Sequence, residues 1–107
     1  QVLMATREHR YRITVEHIAT PREDQPLRGT LTFEDGNHDD LFRIVELQRA
    51  AGRFKSGDEA AAFAVGLKLL GEAVLRNRDD PLLQQLQGPL RDFIGQLKAD
   101  NAARSNG

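Results

Sequence analysis

Two stretches of alternating apolar and polar residues open the sequence, and three stretches with helical spacing follow. In His9–Ile18, Tyr11, Ile13 and Val15 fall on one side and Arg10, Arg12, Thr14 and Glu16 on the other, the pattern of a half-buried strand. Leu27–Glu34 repeats it, with Leu27, Gly29, Leu31 and Phe33 set against Arg28, Thr30, Thr32 and Glu34. Between them Ala19–Pro26, with two prolines and Arg22-Glu23-Asp24, reads as a solvated loop. The two strands predict a hairpin with a long connection. A lone two-stranded hairpin is marginal in water, so its apolar face needs helices, and its free edges are open to a second copy.

Asp35-Gly36 predicts a turn, with Asn37 as the N-cap of a helix and Asp39 and Asp40 in its first turn. Leu41, Ile44, Val45 and Leu47 mark that helix as amphipathic, and it ends near Gly52. Phe54 is placed to act as an apolar anchor beside the next cap. The stretch Ser56–Asn77 then starts with Ser56-Gly57-Asp58-Glu59, a capping box. About 21 residues of helix span roughly 30 Å. Phe63, Leu67, Leu70 and Val74 share one face, Ala60, Ala64 and Gly71 lie beside them, and Val65 and Leu69 point almost the opposite way. Lys68, Glu72 and Arg76 form one narrow charged stripe, within which i,i+4 pairing is expected. A helix apolar nearly all round is a buried helix, so it belongs between two layers or between two subunits. Gly66 and Gly71 each cost about 1 kcal/mol relative to alanine in a helix, which predicts close approach of a neighbouring backbone.

Asn77-Arg78-Asp79 closes this helix, and Asp80-Pro81 opens the last one. Leu82, Leu83, Leu86, Leu90, Phe93, Ile94 and Leu97 share roughly 120° of arc if the helix runs straight through Gly88-Pro89. The spacing therefore predicts one helix, Pro81–Ala99, kinked at Pro89. The fold class is α+β: a two-stranded antiparallel hairpin followed by three helices, the middle helix central, the sheet open to extension by dimerisation. Residues 9–99 are expected to form the single domain. Residues 1–8 are expected to be disordered or partly non-native, with Met4 a candidate start after residues 1–3, and residues 100–107 are expected to fray.

Charge and composition narrow the function. Lys and Arg total 15 against 16 Asp and Glu, which gives no global attraction to nucleic acid or to an anionic membrane. The charges on the central helix argue against a membrane span. The absence of cysteine removes disulfides and thiolate chemistry and suits a cytoplasmic protein. Asp35-Gly36-Asn37-His38-Asp39 with Glu46 imitates a calcium loop, but Asp40 stands where the sharp turn needs glycine. His9 and His17 lie eight residues apart, about 26 Å along a strand, and cannot share an ion. No metal, cofactor or catalytic residue is expected, and no nucleophile, phosphate-loop or dinucleotide motif occurs. His38 beside Asp39 and Asp40 is a candidate acid/base group, although a capping neighbour is the commoner role. Arg10, Arg12 and Arg28 form a small basic patch, but Tyr11 lies on the opposite face, away from where a nucleic-acid platform needs it.

The blocks His9–His17, Asn37–Phe42, Ala62–Leu69, Arg76-Asn77-Arg78 and Pro81-Leu82 resemble a family of small bacterial proteins catalogued as domain of unknown function 3861. The resemblance implies a stand-alone cytoplasmic α+β protein and brings no activity, cofactor or catalytic residue. Gly88-Pro89 departs from the family pattern. Three functions remain compatible with the pattern. The first is a non-catalytic homodimeric or partner-binding module, with Val65 and Leu69 at an interface. The second is a small-molecule-binding protein or small enzyme with a pocket near Tyr11, Phe33 and His38. The third is a nucleic-acid-associated protein using Arg10, Arg12 and Arg28.

Overall fold

The computed structural model describes residues 7–106. Strands β1 (His9–Glu16) and β2 (Thr30–Asn37) pair antiparallel, from His9 opposite Asn37 to Glu16 opposite Thr30. On one face Tyr11, Ile13 and Val15 stand against Asp35, Phe33 and Leu31; on the other Arg12 stands against Glu34. This corrects the expected end of β2. Asp35-Gly36 does not turn the chain but continues the ladder, opposite Tyr11 and Arg10. The reason is tertiary. Arg76 lies 2.9 Å from Asp35 Oδ1 through Nη1, and its Nη2 donates to the Gly36 carbonyl at 2.7 Å. At the far end His17 N–H donates to the Gly29 carbonyl at 2.9 Å, and His17 Nδ1 accepts from Arg28 N–H at 2.8 Å. Gly29 has φ 96°, a left-handed conformation that glycine adopts without a Cβ clash.

Helix α1 (Leu41–Ala51) is capped by Asp40, whose Oδ1 accepts from Phe42 N–H at 3.0 Å and Arg43 N–H at 3.3 Å. The N-cap is therefore Asp40 and not Asn37, and Asp39 lies outside the first turn. Gly52, at φ 69°, ends the helix as expected. Helix α2 (Gly57–Arg76) is continuous, starting where Ser56 Oγ accepts from Glu59 N–H at 3.0 Å. The third helical stretch is interrupted. Helices α3 (Pro81–Gln84) and α4 (Gln87–Asn106) meet at Gln85-Leu86, whose N–H groups donate to the carbonyls three residues back, at 3.2 and 3.0 Å. Pro89 thus falls in the first turn of α4, where its missing N–H leaves no bond unmade, so the chain breaks before the proline instead of bending at it. Gln84 Nε2 ties α3 to the end of α2 by donating to the carbonyls of Val74 and Asn77 at 3.0 and 2.9 Å.

Helix α4 also runs past the Ala99 end that the apolar spacing predicts. Arg53, from the α1–α2 connection, reaches Asp100 and donates to Asn101 Oδ1 at 3.0 Å, and Arg104 donates to Asp100 at 2.7 Å. The Arg104 guanidinium, and after it that of Arg53, hold the Asp100 carboxyl below its ordinary pKa. A depressed folded-state pKa stabilises above the unfolded value and loses that stabilisation as pH falls through the folded one. Amide protection over residues 101–106 is therefore expected to fall below about pH 4. Hydrogen exchange corrected for intrinsic rates measures this, and Asp100→Asn should show the same loss already at pH 6.

The core lies among α1, α2 and α4, built from Leu41, Ala51, Ala60, Ala64, Val74 and Leu97. Ala60 and Ala64 are the nearly inaccessible small side chains of α2. Phe63 bridges to Phe54 and Phe93, with ring centroids 5.0 and 6.3 Å away. Helix α2 is central in that α1, α4 and β2 all touch it. Its wrapping is incomplete, however: Leu70, expected on the buried face, is exposed together with Leu75. Gly66 and Gly71 are a second correction, since a Cβ at either would meet nothing within 4 Å. The accessible surface is 8431 Å², against roughly 6,000 Å² for a compact monomer of this mass. The radius of gyration is 16.8 Å, where about 13 Å is usual at this length. The hairpin meets the helices mainly at one end of β2.

Candidate functional site

That meeting point gathers most of the polar chemistry in the chain. The three residues of the charged stripe on α2, Lys68, Glu72 and Arg76, do not pair with one another along the helix, as i,i+4 spacing suggests. Each reaches across to the β2–α1 junction instead. Arg76 takes Asp35, Lys68 Nζ lies 2.9 Å from Asp39 Oδ2, and Glu72 lies between them against His38. Glu72 Oε1 accepts from the His38 backbone N–H at 3.1 Å, and Glu72 Oε2 lies 2.8 Å from His38 Nδ1. A spacing of four puts the three side chains on one stripe, which meets Asp39, His38 and Asp35 in turn. The stripe works as a docking strip for the hairpin.

Asn37 fixes the strip in register. Only 1% of it is exposed. Its Nδ2 donates to the Lys68 carbonyl at 2.9 Å, and its Oδ1 accepts from Asp39 N–H at 3.0 Å. Tyr11 closes the other side: its hydroxyl accepts from Leu41 N–H at 3.0 Å and donates to the Asp39 carbonyl at 3.2 Å. Among the described residues no lysine or arginine pairs with the carboxylate of Glu72, although Glu72 is 96% buried. Burying a carboxylate without a full counter-charge is costly, which makes its surroundings informative.

Glu8, just before β1, brings a second carboxylate to this point. Ligand atoms of Glu8, His38 and Glu72 all lie within 4.8 Å of one another. The Glu8 carboxylate rests where Gly36 has no side chain; a Cβ there would come within 2.1 Å of Glu8 Oε1. Arg10 Nη1 lies 3.5 Å from Glu8 Oε1. Beside this cluster a groove of about 470 Å³ opens between α2 and α4, with His38 and Lys68 at its rim and Leu67, Val74, Leu90 and Ile94 in its walls. Gly71 lines it, so the groove uses the space that a side chain there would fill.

The residues singled out from the sequence are dispersed. Tyr11 and His38 meet at the junction, and His38 lines the groove. Phe33 lies on the hairpin opposite Ile13, 39% exposed. Val65 and Leu69 are half-buried on α2 and do not line the groove. Arg12 donates to Glu34 at 2.8 Å and Arg10 lies 4.0 Å from the same carboxylate, so two of the three arginines of the expected basic patch carry paired charge. Glu72, Glu8 and Asn37 were not legible as site residues. From the sequence Glu72 reads as one charge of a narrow stripe on α2, and nothing local tells which distant segment meets it. Among the described residues no helix is long and apolar enough to cross a membrane.

Comparison with known proteins agrees with the fold and adds no activity. A family model described as a domain of unknown function with solved structure, DUF3861, matches residues 9–99. A crystal structure of a protein of unknown function from Pectobacterium atrosepticum SCRI1043 is similar, at 37% identity and a TM-score of 0.68 over 86% of this chain and 98% of that one. Among curated proteins nothing matches.

Proposed function

The chain belongs to the DUF3861 family, and from that premise we propose that it is a non-catalytic interaction module that works as a homodimer in the bacterial cytoplasm. The observation that carries this is the uncovered apolar face of the hairpin. Val15 and Leu31, opposite each other in the ladder, are 53% and 60% exposed, and Phe33 lies beside them. Two strands with a bare apolar face are marginal on their own. A face of this kind, contiguous and carried on a projecting element, marks an interaction surface.

A second copy suits it better than a foreign partner. Each chain carries a hairpin face and also exposed apolar residues in its helical layer, Leu70, Leu75 and Phe93 on helices and Leu86 at the α3–α4 break. Both halves of a self-complementary contact are thus present, as a two-fold interface requires. Sedimentation equilibrium at micromolar concentration tests the proposal. The expected mass is about twice the 12.0 kDa of one chain; a strict monomer at that concentration overturns it.

The groove between α2 and α4 supports a second use, the binding of a small amphipathic molecule. Its apolar walls and the His38 and Lys68 rim fit a ligand with an apolar body and a polar end. A thermal-shift panel of metabolites distinguishes this use, because a dimer interface alone gives no metabolite-dependent shift.

A further inference from the structure

We infer that Glu8, His38 and Glu72 form a site for one divalent transition-metal ion, which fastens the hairpin to the helical layer. The three ligands come from three separate segments: the residue before β1, the β2–α1 junction and the middle of α2. Their atoms lie within 4.8 Å of one another. Ligands about 2.0–2.2 Å from an ion are themselves roughly 3–3.5 Å apart, so the cluster closes on an ion with an inward shift of about an ångström. His38 Nδ1 and Glu72 Oε2, at 2.8 Å, are already near that spacing.

Three further observations point to an ion. The first is charge. Glu72 is buried, and the cations beside it on α2 are engaged elsewhere, Lys68 with Asp39 and Arg76 with Asp35. Glu8 adds a second carboxylate to the cluster. Arg10 Nη1 lies 3.5 Å from Glu8 Oε1 and offsets part of that charge, while among the described residues no lysine or arginine pairs with Glu72. The second is orientation. The His38 backbone N–H holds Glu72 Oε1 at 3.1 Å, which aims Oε2 at the imidazole in the way outer hydrogen bonds orient metal-binding carboxylates. The third is access. The His38 side chain is 58% exposed, so coordination positions on its side stay open to water. Gly36 leaves the space that the Glu8 carboxylate occupies.

One nitrogen and two carboxylate oxygens suit zinc or a neighbouring first-row ion better than calcium, which prefers an all-oxygen shell of six to eight ligands. An ion here would bond the hairpin to α2 at the point where the two meet. It is independent of the dimer, since the exposed faces of Val15 and Leu31 lie at the other end of the ladder.

The test is calorimetric titration of the full chain with Zn²⁺ alone, alongside visible absorption with Co²⁺. One ion per chain is expected, with a melting temperature about 10 °C higher at a hundredfold excess over Kd. Glu8→Gln, at a half-buried position, and His38→Gln, at an exposed one, should each weaken binding tenfold or more while circular dichroism stays unchanged. Chemical-shift changes on binding should centre on residues 8, 36–39 and 72. No Zn²⁺ binding below about 1 mM overturns the inference. So does binding that both variants leave intact.

Discussion

Asn37→Ala is expected to lower the free energy of unfolding by about 2–4 kcal/mol, among the largest losses available to a single truncation in this chain. The side chain is 1% exposed, and both ends of its amide are used, on the Lys68 carbonyl and on Asp39 N–H. Alanine strands the Asp39 N–H and leaves a void that water enters poorly. It also loosens the backbone that presents His38 to Glu72 and Asp39 to Lys68, so the loss exceeds two ordinary hydrogen bonds. Asn37→Asp separates the contributions. It keeps the acceptor for Asp39 N–H, loses the donor to Lys68, and adds charge close to Glu72. Urea unfolding monitored by circular dichroism gives both numbers. A loss under 1 kcal/mol for Asn37→Ala would mean that the junction is not what holds the hairpin.

The sequence was legible wherever the determining interaction is local. Ser56 and Glu59 are three residues apart, Gly52 follows its own helix, and the alternation of Tyr11, Ile13 and Val15 needs only the strand that carries it. Those features predicted the ββααα order, the two uninterrupted helices and the α+β class. The features that differ have a distant partner. Asp35-Gly36 carries a turn signal, yet Arg76, some forty residues on, holds both in the ladder. Asn37 and Asp40 are both good N-cap residues, and only the burial of Asn37 against Lys68 decides between them. Pro89 reads as a kink because apolar phase is kept through it, but phase survives equally well when the break comes at Gln85-Leu86. Periodicity also reported how apolar α2 is without saying how much of it this chain covers. Leu70 and Leu75 are exposed, and Val65 and Leu69 are half-buried. The candidate site was the least legible part. Glu8, His38 and Glu72 are brought together from separations of about thirty residues each, and no spacing motif links them.

Val15→Lys combined with Leu31→Glu is expected to convert the proposed dimer to monomer, weakening self-association by about a thousandfold, or roughly 4 kcal/mol for two central apolar contacts. The two positions are direct partners in the ladder, so the introduced charges attract across the strands and the hairpin itself is kept. What they remove is the apolar face, which becomes too costly to bury against a second copy. The helical core does not depend on this end of the hairpin, because β2 meets α2 at Asp35–Asn37. Far-UV circular dichroism should therefore show unchanged helix content, which separates dissociation from misfolding. Sedimentation velocity across nanomolar to micromolar concentrations measures the shift. If the double variant remains a dimer with the wild-type dissociation constant, the hairpin face is not the contact, and exposed Leu70 and Leu75 of α2 with Phe93 of α4 become the surface to alter next.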